Sequence, residues 1–201
     1  THVEKTGKFA GKANKKVRLV FELSGKQWEP KEVNGTKIPQ RMTMNLNYSL
    51  STMGKFYPLF MTMRACHGDT ATTMAELLGT EYIGDIEHNT VGDKVFANLV
   101  NIRKAEREND EGELVPIKVA EPITELKLFL FDLADLEMWD SIYIDGNYDA
   151  RKDKDGKVTA PPRSKNTLQE TIMAAVNWDS CPVAALLKSG ASKADEVGLD
   201  N

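Results

Sequence analysis

Two stretches of this chain alternate apolar and polar side chains, and that alternation limits the fold more than any other feature. In KKVRLVFELSG (15–25) Val17, Leu19, Phe21 and Leu23 share one face, while Arg18, Val20 and Glu22 share the other. In RMTMNLNYSL (41–50) Met42, Met44, Leu46, Tyr48 and Leu50 oppose Arg41, Thr43, Asn45, Asn47 and Ser49. A period of two belongs to a strand with one wet face, because successive side chains leave opposite sides of a pleated backbone. The connection between them, GKQWEPKEVNGTKIPQ, is polar, with Asn34-Gly35 as its turn signal and Trp28 as an isolated large ring.

Pro58, in STMGKFYPLFMTMRACHG, is tolerated in the first turn of a helix but not in its interior, so the spacing predicts a helix over 58–66 that stops at Gly68. Phe56, Leu59, Phe60 and Met63 are its core residues, and Tyr57 joins them with Tyr48. EYIGDIEH and KVFANLVNI then read as a hairpin about Gly92-Asp93, with Gly84 marking a bulge or a close backbone approach. Strand, strand, short helix, strand, strand is the order left in a five-stranded Greek-key barrel when one strand lies before Thr1.

Beyond residue 103 regularity fades. RKAERENDEGELVPIK is a charged loop, ELKLFLFDL is a candidate strand, and 145–165 reads as a flexible insert. NTLQETIMAAVNW (166–178) has a helical stripe in Leu168, Ile172, Ala175 and Val176, with Asn166 or Thr167 as cap. The expected division is a barrel core over 1–104, an extension over 105–180 whose helix packs on it, and a mobile tail over 181–201.

Several function classes are disfavoured by what the sequence lacks. No run approaches the roughly 18–20 apolar residues of a membrane span, and the lysine-rich start has no apolar signal segment, so a soluble intracellular protein is expected. Cys66 and Cys181 form no CxxC pair, and with three histidines a zinc cage is implausible. Neither a Gly-x-Ser-x-Gly elbow nor a Gly-x-x-x-x-Gly-Lys-Ser/Thr loop is present. Asp132, Asp135, Glu137 and Asp140 surround Trp139 without a histidine or lysine at catalytic spacing. No enzyme activity, metal or cofactor is expected.

The string KKVRLVFEL, its polar connection, the helix region after Ser49-Leu50, the hairpin IEHNTVGDKVFANLVNI and LQETIMAAVNW after an acidic aromatic stretch resemble, in that order over residues 1–180, a family of small bacteriophage proteins encoded among replication and recombination genes. The resemblance implies an oligonucleotide-binding (OB) fold, mainly β with helices, extended by a C-terminal helical segment. It further implies single-stranded DNA binding in the cytoplasm of a bacterial host. Against the family pattern this chain starts in the loop joining the first two barrel strands, leaving the first strand missing, and its 145–165 insert is longer.

In such a barrel, phosphates are met by cations and bases by exposed rings, on strands two and three and on the loops 1–16 and 88–94. The first loop supplies Lys8, Lys12, Lys15 and Lys16 with Phe9, the strands supply Arg18 and Arg41, the long connection Trp28, and the hairpin Lys94 and Phe96. A solvated lysine run, an ordinary wet sheet face and a tryptophan capping the barrel end are the plainer readings of the same residues. Phe96 shares parity with the apolar Val100 and Ile102, so either a one-residue bulge separates them or Phe96 is a core residue. Asp195, Glu196 and Asp200 form a weak acidic tail of the kind that recruits replication or recombination proteins. The rival functions are a non-catalytic protein-interaction module and a metal-dependent nuclease using the 132–140 acids.

Overall fold

The computed structural model of the protein describes residues 2–3, 11–33 and 35–190. The chain divides into two compact units, Asn14–Leu126 and Thr1–Ala13 with Lys127–Asn201. The division therefore falls after Leu126 and not near residue 104, because the segment following the last long strand stays hydrogen-bonded to the strands: Ile117 N–H donates to Ala105 O at 2.8 Å, and Ile123 and Thr124 N–H donate to the Glu22 carboxylate at 2.6 and 3.0 Å.

In the Asn14–Leu126 unit β1 (Lys16–Glu22), β2 (Lys31–Val33), β3 (Thr36–Ile38) and β4 (Arg41–Asn47) precede α1 (Phe56–Cys66). After the helix come β5 (Ile83–Val91), β6 (Lys94–Arg103), β7 (Glu106–Glu108) and β8 (Leu114–Pro116). β1 pairs antiparallel with β4 from Lys16 opposite Asn47 to Glu22 opposite Arg41, and β5 pairs with β6. The remaining short strands pair β2 with β3 and β7 with β8. Among the described residues these are separate two-stranded ribbons with no closed barrel, so the architecture is antiparallel β with helices.

The inner faces of the two long ribbons and one face of α1 share a core: Phe21, Met44, Leu99 and Ile102 pack with Phe60, Met63, Ala71 and Leu77. Alternation places Val17, Leu19 and Phe21 inward and leaves Arg18 and Val20 outward, as the sequence pattern implies. Tyr48 and Leu50 depart from it. β4 ends at Asn47, so the period no longer assigns them, and they are 44% and 64% exposed, although the Tyr48 ring lies 5.0 Å from Phe56. Pro58 does sit in the first turn of α1, and Gly68, at φ 78°, follows its end.

The β5–β6 turn has φ 59° at Gly92 alone, the II′ pattern that matches strand twist. Lower in the ribbon Ile83 opposes Arg103 while Asp85 opposes Val100, so β6 carries one extra residue. That residue is Asn101, at φ 51°, a left-handed conformation that asparagine tolerates better than most side chains. Its amide donates to Asp85 at 3.1 Å, as does Arg103, and these donors hold the Asp85 carboxyl below its ordinary value. Opposite the bulge a Cβ on Gly84 would lie 2.6 Å from Leu99 Cδ1, so only glycine fits there without displacing Leu99. The bulge lets Leu99 and Ile102 both face the core, Ile102 at 7% exposure, while Phe96 remains 48% exposed.

The Thr-rich loop ends in a capping box in which Thr73 and Glu76 bond reciprocally before the turn Met74–Leu77. Side-chain and backbone donors of Thr72 and Thr73 bring the Glu76 carboxyl from 4.5 to about 2. A lowered folded value contributes stability above the unfolded pKa and loses it as pH falls through the folded one. The melting temperature of wild type should therefore exceed that of Glu76→Gln at neutral pH, with the gap closing between pH 4.5 and about 2. A gap unchanged at pH 2 would refute the assignment.

The second unit has its own core, in which Leu136, Trp139, Ile142, Cys181 and Val183 are buried. Asp135 caps α2 (Leu136–Ser141), accepting from Met138 N–H at 2.7 Å. The buried Gln169 of α3 (Thr167–Met173) donates to Trp139 O at 2.7 Å and accepts from Asn166 at 2.7 Å. Three expectations are corrected here. ELKLFLFDL is not a strand: it finds no pairing partner among the described residues, and Phe129 and Phe131 instead pack on the Trp139 cluster. The expected mobile tail begins with α4 (Pro182–Ser189), because Val183 and Ala184 are buried in that cluster. The 145–165 insert is a β-hairpin, in which Asn147–Tyr148 pairs with Arg163–Ser164 and Arg151–Lys152 with Val158–Ala160.

Candidate nucleic-acid interface

The Asn14–Leu126 unit contains an open cleft of about 430 Å³ that four ribbon elements build together. Leu23 leaves the end of β1, and Trp28 follows in the turn Lys26–Trp28 set by Gly25 at φ 111°. Lys31 and Ile38 come from the β2–β3 hairpin, whose Gly35 turns at φ 77°, and Gln40, Arg41 and Met42 from the start of β4. Ile86, His88 and Ala97 close it from the β5–β6 ribbon. A partly buried indole, several apolar side chains and the donors of Lys31, Arg41, Gln40 and His88 thus face one space. That mixture can hold a flat apolar body with an anionic substituent.

Arg41 also ends a polar row on the outer face of the β1–β4 ribbon. Lys16 Nζ donates to Asn47 at 2.6 Å, Arg18 Nε to Asn45 at 3.0 Å, and Arg41 to the Thr124 hydroxyl at 2.8 Å. Lys16 and Arg18 are two residues apart, about 7 Å along the strand. Glu22 is the carboxylate on this face. Burial pushes it up, but the N–H donors of Ile123 and Thr124, the Thr124 hydroxyl and the Arg41 charge outweigh that and leave it lowered. Its oxygens are thus engaged by the loop, and the exposed face is cationic.

The predicted residues do not form one group. Trp28 and Arg41 meet in the cleft, and Arg41 aligns with Lys16 and Arg18 on the ribbon face. Lys15 is exposed beside them, its carbonyl accepting from Tyr48 N–H at 2.8 Å. Lys94 and Phe96 are on the other face of the β5–β6 ribbon: Phe96 opposes Asn89, whereas its neighbour Ala97 opposes His88, and those two line the cleft. Lys12 belongs to the other compact unit. Lys8, Phe9 and the terminal acids Asp195, Glu196 and Asp200 lie outside the described residues.

Lys31, Gln40 and His88 were missed by the sequence reading. The signal for Lys31 was the pairing of KEV with TKI about the Gly35 turn, and His88 shares parity with Ile86. Asp135, the central acid of the 132–140 cluster, is used as a helix cap. Among the described residues no group of three His, Cys, Asp or Glu side chains could hold a metal ion. Nor among them is there a helix long and apolar enough to cross a membrane. No family model, curated protein or solved structure matches the chain.

Proposed function

We propose that this protein binds single-stranded DNA without sequence preference and without catalysis, acting in bacteriophage replication or recombination in the host cytoplasm. The observation that carries the reading is the shared position of Arg41, which ends the Lys16–Arg18 row and lines the cleft that holds Trp28. Phosphates follow the row, where cations release counterions, and a base enters beside the indole. The fold is proposed as an elaborated OB type. Its support is the order of the long strands, β1 and β4, then α1, then β5 and β6, about one core, and a basic face on β1 and β4, the strands taken to bind ligands in such barrels.

Fluorescence anisotropy with labelled oligo-dT tests this. Three phosphate contacts through Lys16, Arg18 and Arg41 give a log–log salt slope of about −2, at about −0.7 per contact for single strands. Absence of binding at low salt would sink the proposal, as would a duplex bound as tightly as a single strand.

A further inference from the structure

The hairpin over residues 146–165 contributes nothing to either core cluster among the described residues, and its Tyr148 and Val158 are 49% and 53% exposed. It is nevertheless well formed. Asp153 accepts from Asp155 and Lys157 N–H at 3.0 and 2.9 Å, Gly156 turns the chain at φ 80°, and Thr159 donates to Arg151 O at 3.1 Å. Within it Arg151, Lys152, Lys154, Lys157, Arg163 and Lys165 outnumber Asp149, Asp153 and Asp155, six against three, so this segment is at +3 in a chain of net −4. An isolated two-stranded hairpin is marginal in water, and this one buries no apolar face that would explain it.

Its base shows what it fits. Tyr148 opposes Arg163, and just below that pair Lys165 N–H donates to Gly146 O at 3.0 Å. The Arg163 guanidinium lies 5.2 Å and the Lys165 ammonium 5.7 Å from the Tyr148 ring centroid. Gly146 itself turns the chain at φ 89°, a left-handed conformation that glycine adopts without strain. Neither cation is in an ion pair among the described residues. Two like charges beside one ring repel; the ring quadrupole offsets part of that, and an anion would offset the rest.

We infer that this hairpin is a second nucleic-acid contact, with Arg163 and Lys165 taking backbone phosphate beside the Tyr148 ring and the arm's other cations extending the track. The inference rests on the proposed single-strand binding and deepens it. The cleft and the hairpin belong to different compact units, and in this proposal a long strand is held by both contacts. Linked contacts raise affinity through effective concentration without any new chemistry.

The test compares oligo-dT of about 8 and about 40 nucleotides on full-length wild type, on Arg163→Gln with Lys165→Gln, and on Tyr148→Ala. A charge control, Lys118→Gln with Lys127→Gln, removes the same net charge elsewhere. Circular dichroism and melting temperature check that each variant folds; Tyr148, Arg163, Lys118 and Lys127 are exposed and Lys165 is half-buried. The double variant should lose about tenfold for the long strand and little for the short one. Its salt slope on the long strand should be shallower by about 1.4, two contacts at about 0.7 each. Unchanged long-strand affinity and slope, or an equal loss in the charge control, would overturn the inference while leaving the cleft intact. Failure of wild type to bind either length would instead overturn the underlying reading. Displacement of the long strand by poly-glutamate as readily as by unlabelled DNA would also overturn it, assigning the hairpin to an acidic protein partner.

Discussion

Replacing Trp28 with alanine should weaken oligo-dT binding roughly 5- to 150-fold, corresponding to about 1–3 kcal/mol for one stacked base. The indole lines the cleft with Arg41, Lys31 and His88, so its loss removes the flat surface while leaving the cations in place. The salt slope should therefore stay near its wild-type value even as affinity falls, which separates stacking from charge. Trp28→Phe keeps a ring and should recover most of the loss. Phe96→Ala serves as the contrast: Phe96 lies on the ribbon face opposite Ala97 and His88, and its removal should change affinity no more than about twofold. Anisotropy titrations at two salt concentrations measure all three variants. Wild-type affinity in Trp28→Ala, or a larger loss in Phe96→Ala, would remove the cleft from the proposal.

Phe60→Ala should cost about 3–5 kcal/mol of stability, the usual range for truncating a buried phenylalanine. Phe60 is central to the core of the Asn14–Leu126 unit, where α1 meets the inner faces of both long ribbons. Its removal leaves a void among Met63, Ala71, Leu77 and Ile102, and close-packed neighbours relax into such a void only in part. At about 2–8 °C per kcal/mol across domains of these sizes, the melting temperature should fall by about 6 °C or more. Phe60→Leu keeps most of the volume and should cost less than half as much. A loss under about 1 kcal/mol in urea titration of Phe60→Ala would mean that the helix does not anchor this core.

Local features were legible where one residue type or one period suffices. Alternation fixed the inward faces of 16–22 and 41–47, because the pleat assigns sides without reference to partners. Gly92, Gly68 and Pro58 located a turn, a helix end and a helix start through backbone constraints of their own. Gly35, at φ 77°, turns a hairpin short enough for its signal to lie within the turn.

Other features depended on partners that sequence does not name. ELKLFLFDL has strand composition yet pairs with no strand among the described residues, and the 145–165 insert pairs with itself although its composition reads as coil. Parity along β6 was ambiguous until the extra residue at Asn101 turned Ile102 inward and left Phe96 outside, a choice made by core packing against Leu77 and Met63.

By itself, then, the sequence determined that the alternating segments 16–22 and 41–47 are extended and which of their faces avoid water, and where the chain turns at Gly92 and Gly68, since these follow from side-chain periodicity and the sterics of glycine and proline. Only the tertiary structure decided that Trp28 and Arg41 share a cleft with His88 while Phe96 does not. The reason is that bringing residues tens of positions apart to one surface is settled by how ribbons pack on a common core, and that packing is a property of the assembled side chains rather than of any one segment.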